Sequence, residues 1–377
     1  DNLSKVPDYE IYYWFIDKSN QLLIDKGIVS FIIPNSILFN VYAQEYRIGL
    51  FNNWQVEEIL DCTDIDIFED ATVRNIIFQF RKAQNSNLLG FKKTNDIKTF
   101  EELASREYKQ IDKPTVEANN QNWALIFKLE QEKLKIIRKI KDSSIELSNI
   151  FPETSQGLIA YDKYRGQSTE IIKNRAYHTN EKSKVTHKKW LHSGDVKRYS
   201  VKWNSVEYID YCDGIANPRD PKFFIGERIL IREITNPRLF AAYTNEELYN
   251  DPSILIIKDN DESFKIKTLL GILNSKLLTF FHFNSSPKAT KGAFPKILVF
   301  DVNNFPLPKK IENEIESKIE TLVNQILSAK ANNPEAETSD LEAEIDVLVY
   351  KLYGLTYDEV LVVDEEVGVS QSEYENF

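Results

Sequence analysis

Methionine is missing altogether from these 377 residues, while cysteine occurs twice and histidine four times. Each scarcity closes off some chemistry. Cys62 and Cys212 stand too far apart for a zinc spacing and give no disulfide framework, so they read as buried thiols in a reducing, cytoplasmic setting. His178, His187, His192 and His282 fall at no metal-ligand spacing and no HExxH occurs, so they read as structural or surface residues and no metal is expected. No apolar run is long enough to span a bilayer. The opening DNLSKVPDYE lacks both the basic and the apolar segment of a secretory signal. No membrane role is expected. A chain this long without methionine, initiator included, reads either as a fragment of a longer protein or as one whose methionines are modified.

What is present points to a folded protein of two or three domains: 42% hydrophobic and 12% aromatic residues. The net charge of −11 argues against a polyanionic partner only until it is divided along the chain. Residues 151–310 carry 25 Lys and Arg against 18 Asp and Glu, a surplus of +7. Residues 311–377 carry 3 against 17. A local basic field is what a nucleic acid meets, whatever the total. An acidic end can equally be an ordinary solvated tail.

The apolar pattern predicts a helix over 9–25 with a C-cap at Lys26-Gly27, then IVSFII (28–33) as a buried parallel strand. A second helix (37–53) and strands at 56–62 and 73–80 follow. Residues 83–122 read as a polar connection with short elements, and 123–141 as one amphipathic helix. From 155 to 308 short strands alternate with Gly, Pro and Asn turns, with one helix near 266–283. Helices at 311–331 and 341–355 precede an acidic tail that reads as loose after Asp364. The fold class is therefore α/β followed by α+β.

Two fragments combine basic and aromatic residues between apolar runs: SQGLIAYDKYRGQ (155–167) and KKWLHSGDVKRYSVKW (188–203). That composition suits gripping phosphate and stacking on bases. GIVSFIIPNS followed by DIDIFEDATVRNIIFQF (64–80) resembles the rear half of gamma-class DNA adenine-N6 methyltransferases. Residues 151–310 resemble the TaqI-like C-terminal specificity domain of those enzymes and of type IIG restriction-modification enzymes. The matching pieces are SQGLIAYDKY, KKWLHSGDVKRY, GERILIREIT, LFAAYT, LLGILNSKLLTFF and FPLPKK.

The resemblance implies four parts. Residues 1–82 would be the rear half of a Rossmann-like catalytic sheet, and 83–150 a connecting helical segment. Residues 151–310 would be a target-recognition domain, and 311–377 C-terminal helices with an acidic tail. Phe68 is the position that would stack on an adenine flipped out of double-stranded DNA; a plain core aromatic is the alternative. Lys188, Lys189, Lys197 and Arg198 are the first candidates for DNA contact, around a His192-Ser193-Gly194 turn whose glycine permits close approach to a phosphate. Arg165, Arg219, Arg228, Arg232, Lys288 and Lys291 form a second rank. A solvated charge is the alternative for any one of them, less so for the cluster.

The Gly-rich turn and the Asn/Asp-Pro-Pro-Tyr/Phe motif of such enzymes do not occur in the chain. S-adenosylmethionine binding and catalysis are thus expected from a missing N-terminal region. Mg2+ would enter only with a nuclease domain, since Glu69 to Arg74 lacks the lysine of a PD-(D/E)xK site and Glu227 to Glu233 sets acids among arginines. The expected function is site recognition for an adenine-N6 methyltransferase; the alternative is a non-catalytic specificity subunit.

Overall fold

A computed structural model describes the chain except for residues 1–6, 8–9, 64, 66, 70–72, 84–87, 94–96, 98, 118–121, 205, 259–263, 287–288 and 290–294. Two units, Asp1–Leu134 and Lys135–Phe377, divide it.

In the first unit, α1 (Tyr12–Leu22) leads into β1 (Ile28–Pro34), short 3₁₀ turns, α2 (Gln44–Asn53), β2 (Gln55–Asp61) and β3 (Asn75–Arg81). Then come β4 (Leu88–Lys93), α3 (Phe100–Ser105), β5 (Lys109–Asp112), α4 (Lys113–Glu117) and α5 (Trp123–Lys128). One sheet has the order β1-β3-β2-β4-β5. β3 runs antiparallel to both β1 and β2, while β2 and β4 are parallel. Its core alternates along the strands. Ile33 faces Ile76 and Phe31 faces Phe78 across the β1–β3 pair. Ile33, Ile76, Phe78 and Phe80 pack with Tyr13, Ile16 and Trp54 on one side. Leu60, Cys62 and Leu103 form a smaller cluster.

Three expectations change here. β1 is antiparallel to its one partner among the described residues and exposes Ile28 and Ile32, each 45% accessible, so it is a half-covered edge rather than a buried parallel strand. An unbroken apolar run cannot by itself tell two buried faces from one. The helix also stops at Leu22, and Lys26 rather than Gly27 takes the left-handed turn, with φ +64°. Residues 88–93 and 109–112, read as a connection, extend the sheet by two strands.

The predicted helix 123–141 breaks at Leu129-Glu130 into α5 and α6 (Gln131–Asp142), and the division between units falls in the first turn of α6. The second unit continues with β6 (Ser144–Glu146), β7 (Thr154–Gln156), α7 (Thr169–Lys173), β8 (His178–Thr179), β9 (His187–Leu191), β10 (Val196–Lys197) and β11 (Ser200–Val201). Next are β12 (Tyr208–Asp210), β13 (Arg228–Arg232), β14 (Ala241–Thr244), β15 (Tyr249–Asn250) and β16 (Ile254–Lys258). α8 (Ile266–Asn274), α9 (Lys276–Ser285), α10 (Val299–Asn303) and β17 (Pro306–Pro308) follow, then α11 (Asn313–Asn332), α12 (Ser339–Leu352), α13 (Tyr357–Val363) and α14 (Gln371–Asn376).

The central sheet β14-β13-β16-β7 is antiparallel, and a second, β15-β9-β12-β8, lies across its other core. Ile229 and Ile231 of β13 join Leu269, Leu273 and Val323 of the helices. Leu230 joins Trp190, Leu191 and Phe224 on the opposite face. Burial on both faces explains the unbroken ILI run, each such side chain contributing about 1.5–3 kcal/mol. Gly271 lets α11 approach α8: a Cβ there would sit 2.9 Å from Ile319 Cγ2. The helix expected near 266–283 is two, broken at Ser275, whose Oγ accepts from Leu278 N. The acidic end is not loose. Tyr374 is buried and its hydroxyl donates to Leu355 O at 2.8 Å, while Ser370 and Glu373 form a capping box at α14.

Candidate nucleic-acid interface

At the carboxyl ends of β1 and β2 the chain of the first unit forms a hydrogen-bonded knot. Asn35 Nδ2 donates to Thr63 Oγ1 at 3.0 Å, Thr63 N and Oγ1 both donate to Asp61 Oδ1, and Arg74 Nη1 donates to Thr63 O at 2.6 Å. The knot ties down both ends of the loop that carries Phe68. Ile65 and Ile67 pack onto the small cluster of Leu60 and Cys62, while Phe68 itself is 47% exposed. A core aromatic would not be. Cys62 is buried, and that burial pushes its thiol up to about 11, which leaves it unreactive.

In the second unit the first-ranked cations are all engaged. Lys188 Nζ meets Glu247 at 2.8 Å, Lys189 meets Glu246 at 3.0 Å, and Lys197 meets Glu335 at 2.5 Å. Lys189 also lies 5.4 Å over the Trp203 ring. Arg198 differs in kind: it grips Glu342 through Nε and Nη2 and donates from Nη1 to Asn274 O at 2.6 Å, so it braces β10 against the helices. The turn after β9 is closed by Asp195, which accepts from His192 N at 2.8 Å; a Cβ at Gly194 would meet open space.

Arg228 is fully buried. Its guanidinium donates to Gly226 O at 2.7 Å and Leu248 O at 3.2 Å, and burial lowers its pKa to about 10. With no exposed face it does not offer a contact to DNA as the strand stands, and its place is structural. Arg232 stacks on Phe240 at 4.5 Å, its pKa also lowered by burial. Lys288 and Lys291 lie outside the described residues.

Arg165 and Arg219, from the second rank, lie on loops that are linked to one another. Their loops are joined by Gln167, whose Nε2 donates to Ala160 O at 2.9 Å and to Gly214 O at 2.8 Å, and by a bridge between Ile159 and Asn217. Arg165 is exposed and its side chain makes no ion pair among the described residues. Beside it Tyr164, which sequence reasoning did not single out, is 85% exposed with Lys163 Nζ 4.8 Å over its ring. The signal was present as an aromatic between Lys and Arg, followed by Gly.

His187 and His282 are buried and His178 half-buried, while His192 is exposed with its Nε2 2.8 Å from Glu207. His178 Nδ1 pairs with Tyr161 Oη at 2.8 Å and its ring meets Trp190 edge-on, with burial lowering its pKa to about 4. His282 is wholly buried, with neither ring nitrogen hydrogen-bonded among the described residues, and is likewise pushed down to about 4. Among the described residues no group of three His, Cys, Asp or Glu could hold a metal, and no helix is long and apolar enough to cross a membrane. A polar cleft at the start of α12 sets Arg238, Lys276 and Lys330 against Glu335, Glu337, Glu342 and Asp346, so its carboxylates outnumber its cations and it does not favour a polyanion.

The fold thus defines a mixed α/β protein of several sheets, with an α+β unit that presents cations and an aromatic on tied loops. More particularly, residues 2–68 match the Eco57I restriction-modification methylase family and residues 188–307 the TaqI-like C-terminal specificity domain, so the two likenesses follow one another along the chain. It is 26% identical over 359 residues to the Methanocaldococcus jannaschii protein named "Putative type II restriction enzyme and methyltransferase". That alignment covers 92% of this chain and 29% of the relative, so the chain spans less than a third of that protein's length. The type IIL restriction-modification enzyme MmeI, solved in complex with DNA, shares the fold with a TM-score of 0.57 at 12% identity, over 98% of this chain and 53% of its own. The ATP-dependent type ISP restriction-modification enzyme LlaBIII, solved bound to DNA, does so with 0.51 at 10% identity, over 85% and 26%.

Proposed function

We propose that this chain recognises a short site in double-stranded DNA on behalf of an adenine-N6 methyltransferase of the restriction-modification type. One observation carries the reading. The methylase match lies within the first unit and the specificity-domain match within the second, in the order such an enzyme needs. A stand-alone specificity subunit would have no use for the methylase segment.

In this reading the first unit is the trailing part of a Rossmann-like catalytic sheet. The order β1-β3-β2, with an antiparallel strand between two parallel ones, supports it. So does the outward stripe Ile11, Trp14, Phe15 and Leu22 of the α1 segment, an apolar face of the kind that a further layer covers. Ligands of open α/β sheets bind outside the carboxyl ends of strands, and the Phe68 loop hangs there. Phe68 would supply the π-face that a flipped adenine loses on leaving the stack. The residues present do not fit S-adenosylmethionine: the Gly-rich turn is absent, and Asn35 and Asp61 are already spent on Thr63. Methyl transfer is therefore not assigned to residues of this chain, nor is a nuclease step with Mg2+.

The second unit supplies recognition. Cations on tied loops neutralise phosphate, and the counterions so released make binding fall with salt. Titration of a fluorescent random-sequence duplex over a salt series tests this. Phosphate contacts from Lys163, Arg165 and Arg219 alone give a slope of about −2.7 in log affinity against log salt. Binding that ignores salt would defeat the reading.

A further inference from the structure

Resting on the DNA reading above, the geometry points to Tyr164 as an aromatic probe that packs against the base pairs, with Lys163, Arg165 and Arg219 as the phosphate clamp around it. Tyr164 is more exposed than any other aromatic side chain among the described residues. A monomeric fold gains nothing by holding a large ring in water, and this one is held firmly.

The turn beneath it is fixed at every point. Asp162 Oδ1 accepts from Tyr164 N at 2.8 Å, Asp162 N donates to Gln167 Oε1 at 2.9 Å, and Gly166 closes the turn at φ +82°. Below, Tyr161 stacks on Tyr177 with ring centres 5.6 Å apart and accepts from Tyr177 N at 2.9 Å. Leu158 and Ala160, just before the turn, are buried in the core with Trp190 and Ile209. A side chain presented on a locked turn loses little freedom on binding, so more of its contact energy appears as affinity.

The neighbouring loop adds a second, independent observation. Arg219 is held at φ +60°, a strained conformation for arginine, with its carbonyl fixed by Tyr211 Oη at 2.6 Å. Such strain concentrates at ligand clamps. Gln167 ties this loop to the Tyr164 turn through Gly214 O. Two cations flanking a ring, a third on a loop tied to it, and surplus positive charge in residues 151–310 suit a duplex, whose phosphates bracket apolar base faces.

The experiment compares wild type, Tyr164→Ala, Tyr164→Phe and Arg165→Ala of this chain on the same random-sequence duplex pool over a salt series. Thermal unfolding serves as the folding check, which an 85% exposed side chain should pass unchanged. Base–aromatic contact is worth roughly tenfold in affinity. Tyr164→Ala should lose that factor with the salt slope unchanged, because a ring releases no counterions. Tyr164→Phe should restore it, and Arg165→Ala should flatten the slope by about 0.9. Wild-type binding with Tyr164→Ala at full affinity overturns this inference alone, and leaves the turn to a protein partner. An equal loss of affinity and slope in Tyr164→Ala overturns the probe role in favour of simple placement of Lys163. Failure of wild type to bind any duplex overturns the DNA reading on which it rests.

Discussion

Two arginines that look alike in sequence should behave oppositely when removed. Arg228 lies on β13 with 0% exposure and donates from Nη1 to Gly226 O and from Nη2 to Leu248 O, whereas Arg165 stands exposed on its turn. Arg228→Ala strands two carbonyls and opens a cavity between β13 and the Leu248 segment. Each lost charge-assisted bond costs about 1.5–3 kcal/mol, offset in part because the variant no longer has to bury a guanidinium whose pKa has been driven down. A net loss of about 2–4 kcal/mol follows, with the cavity included. For a unit of this size that is a melting temperature lower by roughly 5–15 °C. Arg165→Ala should stay within about 0.5 kcal/mol of wild type. Differential scanning calorimetry gives the stability of both; duplex titration at a temperature where both are folded gives affinity. The account requires Arg228→Ala to bind DNA normally per folded molecule and Arg165→Ala to bind with a flatter salt slope. Arg228→Ala that is fully stable and binds poorly would refute the division between structural and contacting cations.

Three more outcomes are expected. His282, held neutral by burial, stays unprotonated in the fold until about pH 4, whereas the unfolded chain takes up the proton near 6.5; the unfolded state therefore binds more protons in between. Stability should fall by about 3 kcal/mol as pH drops through that window, and urea titrations of His282→Leu should lack this component, while Asp346, raised to about 6 by burial, works the opposite way in both proteins. Changing Glu246 and Glu247 to Gln frees Lys189 and Lys188, so duplex affinity at low salt should rise roughly threefold or more with stability nearly unchanged; no rise would mean these lysines do not face DNA. Phe68→Ala should cost under about 1 kcal/mol, against about 3–5 kcal/mol for the buried Phe78→Ala, and equal losses in thermal unfolding would make Phe68 a core residue.

Which parts could be read from sequence follows from what kind of contact fixes them. The strands at Ile28–Pro34, Gln55–Asp61 and Asn75–Arg81 were legible because local apolar runs set them. The antiparallel insertion of β3 was not, since pairing order depends on residues far apart in sequence. The acidic end was misjudged because the single buried Tyr374 and its bond to Leu355 O outweigh a run of solvated charges. LLGFKK (88–93) hid a strand behind a glycine and two lysines, one of which, Lys92, is buried against the Tyr108 ring. For the site, residue type was legible but availability was not. Glu246, Glu247 and Glu342 neutralise the lysines and the arginine that looked most basic, and only folding brings those partners across. The Arg165 and Arg219 loops meet through Gln167, a residue with no charge to draw attention.

The most direct test of site recognition is selection. This chain is mixed with a pool of random duplexes, the bound fraction is recovered over a salt series, and the recovered fragments are sequenced. The account predicts enrichment of one short motif containing adenine, with recovery falling steeply as salt rises. No recovery even at low salt would contradict it.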